Sequence, residues 1–320
     1  MTSTPLADAV AAARPAARVE FSAEVAAALQ DRAPVVALET TLVSHGFPGR
    51  QGVEVALAAE QRVRDAGAVP ATVGIVDGVL RAGLTEAELD RFAAAGESAR
   101  KAGARDLAAC VVQGALGATT VGGTLAVCRL AGIAFMATGG TGGVHRGFAA
   151  TLDVSADLPQ IARTGALVVS SGVKSILDVP ATAELLETLA VPVLGWRTAT
   201  LPMFYSADGG PPVSAVVTTA TEAARLAAVH WHLNGPSGVL LTRPPDPSLD
   251  IEPILAEAVA RVHEQGVRGQ SVTPAVLAMV HELSGGRSAA VNQQLIEDNA
   301  GLAAEVAVAY AGQDGRPVPR

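Results

Sequence analysis

From residue 35 onward, short apolar runs alternate with stretches of helical spacing, and that alternation admits few folds. Val35–Leu38, Thr72–Val76, Ala108–Val112, Ala134–Ala137, Leu167–Ser170, Val191–Leu194, Ser214–Val217 and Val239–Thr242 read as strands. Between most of them lie Ala-, Glu- and Arg-rich stretches with helical spacing, such as Gly52–Ala66, Glu86–Ala95, Thr182–Leu189 and Ala220–Trp231. Such a chain builds a mainly parallel or mixed central sheet with helices on both faces. After Ile251 the pattern turns helical, over Glu252–Gln265, Pro274–Ser284 and Ser288–Ala311. The expectation is a single three-layer α/β/α domain over residues 19–311 with a helical C-terminal end. A variable Ala-rich segment (1–18) precedes it and a frayed tail (312–320) follows.

Composition narrows what the domain does. With 49% hydrophobic residues in 320, the chain has ample material for a large core. Aromatics are 3% and net charge is −8, which argues against a base-stacking surface or a basic field for nucleic acid or membrane. A small anionic substrate fits, because a pocket on an acidic protein is able to be locally positive. Cys110 and Cys128 lie in apolar stretches and read as buried free thiols. The N-terminus lacks the charged start and unbroken apolar core of a secretory signal, and no apolar run approaches a membrane span. The protein is expected to be soluble and cytoplasmic.

Two lysines, Lys101 and Lys174, stand against 21 arginines. Arginine serves wherever a permanent cation suffices; lysine is able to shed its proton and attack a carbonyl carbon. Lys174 follows the apolar run Leu167–Ser170 and the turn Ser171–Gly172. Other chemistry-bearing loops fall at strand ends, where open α/β sheets bind ligands. Glu39 ends the first strand, so partial desolvation raises its pKa and suits it to proton donation, unless threonine hydroxyls and backbone N–H groups tie it up. Gly114–Leu125 joins glycines, threonines and a helix start, which is either an anion site or a tight strand–helix turn. Thr138–Gly147 is dense in glycine and ends in His145 and Arg146, which face a ligand or are occupied within the protein. Asp153 and Asp157 point the same way if the stretch between them is extended. Oxygen ligands of this kind suit Mg²⁺ or Mn²⁺, while Ser155 or Asp157 equally suits a helix cap.

These residues together resemble the pseudouridine-5′-phosphate glycosidase family, which includes the indigoidine-cluster protein of the same fold. The resemblance covers roughly Val35 to Ala311. It rests on Ala-Leu-Glu-Thr-Thr-Leu-Val-Ser-His-Gly (37–46), Gly-Ala-Val-Pro-Ala-Thr (67–72), Gly-Ala-Thr-Thr-Val (117–121), Ala-Thr-Gly-Gly-Thr-Gly-Gly-Val-His-Arg-Gly (137–147), Asp-Val-Ser-Ala-Asp-Leu (153–158), Lys-Ser-Ile-Leu-Asp (174–178) and Asn292. Thr40 and Thr141 depart from the usual serine and isoleucine.

The resemblance implies a homotrimeric enzyme that reversibly breaks the C–C glycosidic bond of pseudouridine 5′-phosphate, with a divalent metal, Mn²⁺, in each subunit and a pseudouridine kinase as pathway partner. It implies Glu39 as proton donor and Lys174 as nucleophile. Lys101 and the Val121 backbone would hold the phosphate, Asp153 the metal through its waters, and Ser155, Ala156 and Asp157 the substrate. His145 joins them, and Asn292 meets the uracil edge. Cleaving a C–C bond asks for an electron sink, which a lysine–sugar imine supplies and a carboxylate pair does not. Lys174 must be neutral to attack, so its pKa is expected to be depressed, while Lys101 stays charged. A different imine-forming sugar-phosphate lyase or aldolase shares most of these groups, and a non-catalytic binding protein of the same fold is the other alternative.

Overall fold

The computed structural model describes residues 18–267 and 272–313. Apart from Arg18, the expected Ala-rich segment 1–18 lies outside the described residues, as does the expected tail from residue 314 on. In chain order the strands are β1 (Val19–Phe21), β2 (Val35–Leu38), β3 (Val69–Val76), β4 (Val79–Ala82), β5 (Arg100–Ala102), β6 (Gly117–Thr119), β7 (Phe135–Ala137), β8 (Val144–His145), β9 (Leu167–Ser170), β10 (Leu177–Asp178), β11 (Val193–Trp196), β12 (Ala215–Val217) and β13 (Val239–Thr242).

The centre of the sheet is the parallel run β3–β2–β7–β9–β13–β11–β12. Strands β2, β7, β9 and β13 are buried along their whole length, as parallel strands covered on both faces must be. Beyond β3 the sheet becomes mixed. β4 and β6 pair with it antiparallel, β1 lies parallel to β4, and β5 lies parallel to β6. β8 and β10 form a separate antiparallel pair.

The helix Arg287–Ala311 lies across β2, β7 and β9 and against the helices Gln51–Asp65 and Ala220–Asn234. Its buried Ala300, Ala303, Ala304 and Ala307 recur at helical spacing and allow close approach. Phe135, Trp231 and Tyr310 meet edge to face, with centroids 5.3–6.2 Å apart, and weld β7 to both helices. Cys110 and Cys128 are buried free thiols, as expected. Among the described residues no helix is long and apolar enough to cross a membrane.

One strand assignment is corrected. Ala108–Val112 belongs to the helix Leu107–Val112. Its apolar run is too short to separate a strand from a helix by period, and burial decides it: Cys110 is fully buried while Val112 is 82% exposed.

Trp231 also donates its indole N–H to Ser237 O at 2.9 Å. Trp231→Ala is expected to cost about 3–5 kcal/mol of stability, read as a lower urea midpoint, because it empties the centre of the aromatic cluster.

Candidate active site

Parallel strands end on the same side of the sheet, so the loops after β2, β7, β9 and β13 converge. Glu39 follows β2 and is 5% exposed. One of its carboxylate oxygens accepts the Thr138 hydroxyl, the other that of Thr41. Threonine hydroxyls therefore do hold this carboxylate, and Thr138 brings it against the glycine loop. Thr40 is fully buried and turns the other way, donating to Val73 O at 2.9 Å.

The glycine loop after β7 and the lysine loop after β9 are laced together by main chain. Ser171 N–H donates to Gly139 O at 2.9 Å, Thr141 N–H to Gly172 O at 3.0 Å, and Lys174 N–H to Thr141 O at 3.2 Å. Asn299, from the C-terminal helix, is fully buried beneath them. Its amide donates to Thr138 O at 2.9 Å and to Ser171 Oγ at 3.1 Å. The sequence motifs do not single out Asn299; its one signal there is a polar residue inside the apolar stripe Leu295, Ile296, Leu302, Ala303. Asn292 lies nearby: a Cβ on Gly139 would come within 3.4 Å of its Oδ1. On the outer side, Phe204 N–H donates to Ser171 O and the Ser175 hydroxyl to Met203 O. Lys174 is half-buried in this frame.

Lys101 stands on β5, whose partner β6 runs into the helix Val121–Ala131. Thr120 caps that helix by accepting Gly123 N–H, and Gly122 N–H goes to Asp157 Oδ1 at 2.8 Å. The Val121 amide, in the same first turn, has no partner among the described residues. Asp157 Oδ2 accepts Gly142 N–H at 3.0 Å, so one buried carboxylate ties the helix start to the glycine loop. Ser155 Oγ accepts Asp157 N–H and presses on Gly142, where any Cβ would stand 2.1 Å from it. Ala156, next to Gly122, is exposed.

Lys174, Asp157 and Glu39 are all close enough to act on Lys101. Although the Lys101 side chain is exposed by area, protein packed around its ammonium lowers its pKa. The charge of Lys174 lowers it further, and Asp157 and Glu39 oppose the shift. Lys101, expected to keep its proton, thus sits where its surroundings favour the loss.

The acidic pair does not share a direction. Asp157 is buried at the start of the helix Asp157–Ala162, whereas Asp153 is exposed, with Oδ2 3.8 Å from His145 Nδ1. The chain leaves the extended form at Ala156, and the alternation of side-chain directions ends with it. His145 N–H also donates to Asp153 O at 3.0 Å. Arg146 faces away: it donates to Ser175 O and Leu177 O and pairs with Glu252. No three His, Cys, Asp or Glu residues among those described converge on a metal position. Asp153, exposed beside His145, presents a carboxylate of the kind that holds an octahedral cation through the cation's own waters.

Residues 24–309 match the family described as Indigoidine synthase A like protein. The chain is 46% identical over 298 residues to a pseudouridine-5′-phosphate glycosidase of Deinococcus radiodurans, covering 92% of this chain and 95% of the relative. A glycosidase of the same description from Roseiflexus is 48% identical over 305 residues, covering 92% and 96%. The crystal structure of the prealnumycin C-glycosynthase AlnA in complex with ribulose 5-phosphate superimposes with a TM-score of 0.84 at 42% identity, over 92% of this chain and 97% of that one. An indigoidine synthase A-like protein from Thermotoga maritima gives 0.80 at 34% identity, over 91% and 95%.

Asp157→Asn replaces an acceptor of two main-chain N–H groups by an amide that must turn its own N–H₂ toward one of them. The expected loss is about 1.5–3 kcal/mol in a denaturation series, accompanied by a fall in activity.

Proposed function

The chain belongs to the indigoidine synthase A-like family, and from that premise we propose that it cleaves the C–C glycosidic bond of pseudouridine 5′-phosphate to uracil and ribose 5-phosphate, reversibly. The observation that carries the reading is that the glycine loop Thr138–Gly142 bonds to Glu39, to Asp157 and to the main chain of Lys174, with Lys101 within electrostatic reach of all three. The names of the relatives favour it over an aldolase or a binding protein.

Lys101, with the Val121 amide and the helix start behind it, holds the phosphate and anchors a part of the substrate remote from the broken bond. As uracil N1 gives up its proton, the ring electrons form C5=C1′ and the C1′–O4′ pair leaves on O4′, which is protonated. Lys174 Nζ then adds to C1′ of this ring-opened sugar, the C5=C1′ pair returns to the uracil ring and the amine's proton passes back to N1. Glu39 manages the proton that C5 of uracil gains. The nitrogen lone pair then forms C1′=N while the C1′–C5 pair returns to the uracil ring. Water adds to the imine, the amine leaves, and C1′ becomes the aldehyde of ribose 5-phosphate. The threonine hydroxyls on Glu39 hold its carboxylate in place for this transfer. Ser155, Ala156, His145 and Asn292 border the substrate, with Asn292 at the uracil edge. Asp153 would hold a divalent cation, manganese by resemblance, through its waters; when bound, it supplies positive charge beside the substrate's oxygens. The same reading makes the enzyme a cytoplasmic homotrimer supplied by a pseudouridine kinase.

Disappearance of pseudouridine 5′-phosphate with release of free uracil tests the assignment directly. Lys174→Arg keeps the charge and is expected to abolish turnover; substantial remaining activity would rule out the imine. Lys101→Arg is expected mainly to raise KM. Because the Lys101 pKa lies below its ordinary 10.5, the parent enzyme should lose phosphate affinity with rising pH earlier than a free lysine would lose its proton. Arginine at 101 cannot lose its proton in that range, so the variant's KM should stay flat there.

A further inference from the structure

His45 stands six residues after Glu39 on the π-helical turn Leu42–Gly46, and the mechanism above leaves it unused. Turns of this kind are rare and concentrate at functional sites. The turn packs against Gly96–Ser98, immediately before the strand that bears Lys101. Two polar atoms on consecutive residues, Ser44 Oγ and His45 Nδ1, are buried there without a hydrogen-bond partner among the described residues. A folded protein rarely leaves such atoms idle. The His45 ring is half-buried, with the Ala99 carbonyl beside it.

Charge adds a direction. The charged groups that act on His45 are Lys101, which opposes its protonation, and Glu97, which favours it; burial opposes it most and the Ala99 carbonyl favours it. Lys101 in turn is acted on by Lys174, Asp157 and Glu39. Lys101 is therefore within electrostatic reach both of His45, whose turn packs against the segment leading into its strand, and of the reacting groups. Three bases, His45, Lys101 and Lys174, thus stand in sequence, with Glu97, Asp157 and Glu39 acting among them. The Lys174 end belongs to the carbon chemistry; the other end has no assigned occupant.

We propose that His45 is a second side-chain ligand of the substrate's phosphate beside Lys101, so that the phosphate seats between them and the anomeric carbon reaches Lys174. This rests on the glycosidase reading for the identity of the phosphate ester. A phosphate monoester has its second pKa near 6 and arrives at neutral pH mostly as a dianion. Its charge offsets the repulsion from Lys101 that keeps the ring neutral, so His45 takes up a proton as the phosphate binds.

Inorganic phosphate is the probe. Calorimetric titration of the full chain near neutral pH, in two buffers of different ionisation enthalpy, reads both affinity and protons taken up. The parent protein is expected to take up more protons on binding than His45→Asn does, the proton that inorganic phosphate itself releases as it binds being common to both. His45→Asn is expected to lose about tenfold in phosphate affinity together with part of that uptake, and KM for pseudouridine 5′-phosphate should rise in step. Affinity within about twofold of the parent, in a variant with the parent's unfolding midpoint, overturns the proposal.

Should the variant fold poorly, histidine acylation of the parent protein decides. Phosphate is expected to protect His45 from diethyl pyrocarbonate while His232 and His263 label unchanged. Equal labelling of His45 with and without phosphate overturns the assignment. If phosphate protects His45 but no uracil is ever released, the glycosidase reading falls and the phosphate ligand stands. If uracil is released and His45→Asn changes nothing, the reverse holds.

Discussion

A single buried carboxylate, that of Asp157, joins the two halves of the site. Burying it without compensation would cost several kcal/mol. It is compensated by two main-chain N–H groups, from Gly122 and Gly142, and by the positive end of the helix Val121–Ala131. Both donors are glycines because the main chain must come close. A Cβ at Gly122 would sit 3.1 Å from Asp157 Oδ1, and one at Gly142 would be 2.8 Å from Oδ2. Through this bond the start of the helix Val121–Ala131 and the glycine loop hold one relative position. The loop passes that position to Lys174 by its main-chain bonds, and Asn299 locks the pair from below.

The sheet explains why so many separate segments are able to meet. Four neighbouring strands, β2, β7, β9 and β13, run parallel and deliver their following residues to one edge. The antiparallel flank of β3 and β6 brings in Lys101 from outside that run. Binding and chemistry are thereby carried by different parts of the fold. In the proposed reading, affinity for the phosphate comes from the mixed flank and the reacting groups from the parallel centre. Interactions remote from a reacting bond lower a barrier only if the geometry between the two is rigid. The Asp157 bridge supplies that rigidity.

Much of this arrangement is legible in the amino-acid sequence. β2, β9 and β13 have the bounds that their apolar runs indicate, and the loops with chemistry lie where those runs stop. The departures have local physical reasons. Ala108–Val112 has no polar residue to mark its exposed face, so a half-buried helix looks like a strand. A period of two across Asp153 and Asp157 does not hold, because the chain turns into a helix at Ala156. β5 and β6 are too short to show any period, and they carry Lys101 and the approach to Val121. The π turn at His45 leaves no periodic trace at all. Asn299 is a tertiary partner, visible in sequence merely as a polar gap in an apolar stripe.

The division between lysine and arginine has a structural counterpart. Arginines pair with carboxylates: Arg50 with Glu86 and Asp90, Arg81 with Glu20 and Glu88, Arg91 with Asp77, and Arg62 and Arg243 with Asp298. Among the described residues neither lysine ammonium enters an ion pair within 4.0 Å. The planar guanidinium, always charged, suits fixed pairing; the compact ammonium, able to lose its proton, suits groups that must meet a substrate. A lysine locked to a carboxylate would be costly to free for attack on carbon. In this chain the surface pairing is left to arginine, and among the described residues both ammoniums stay outside ion pairs, with Lys174, Asp157 and Glu39 acting on Lys101 at a distance.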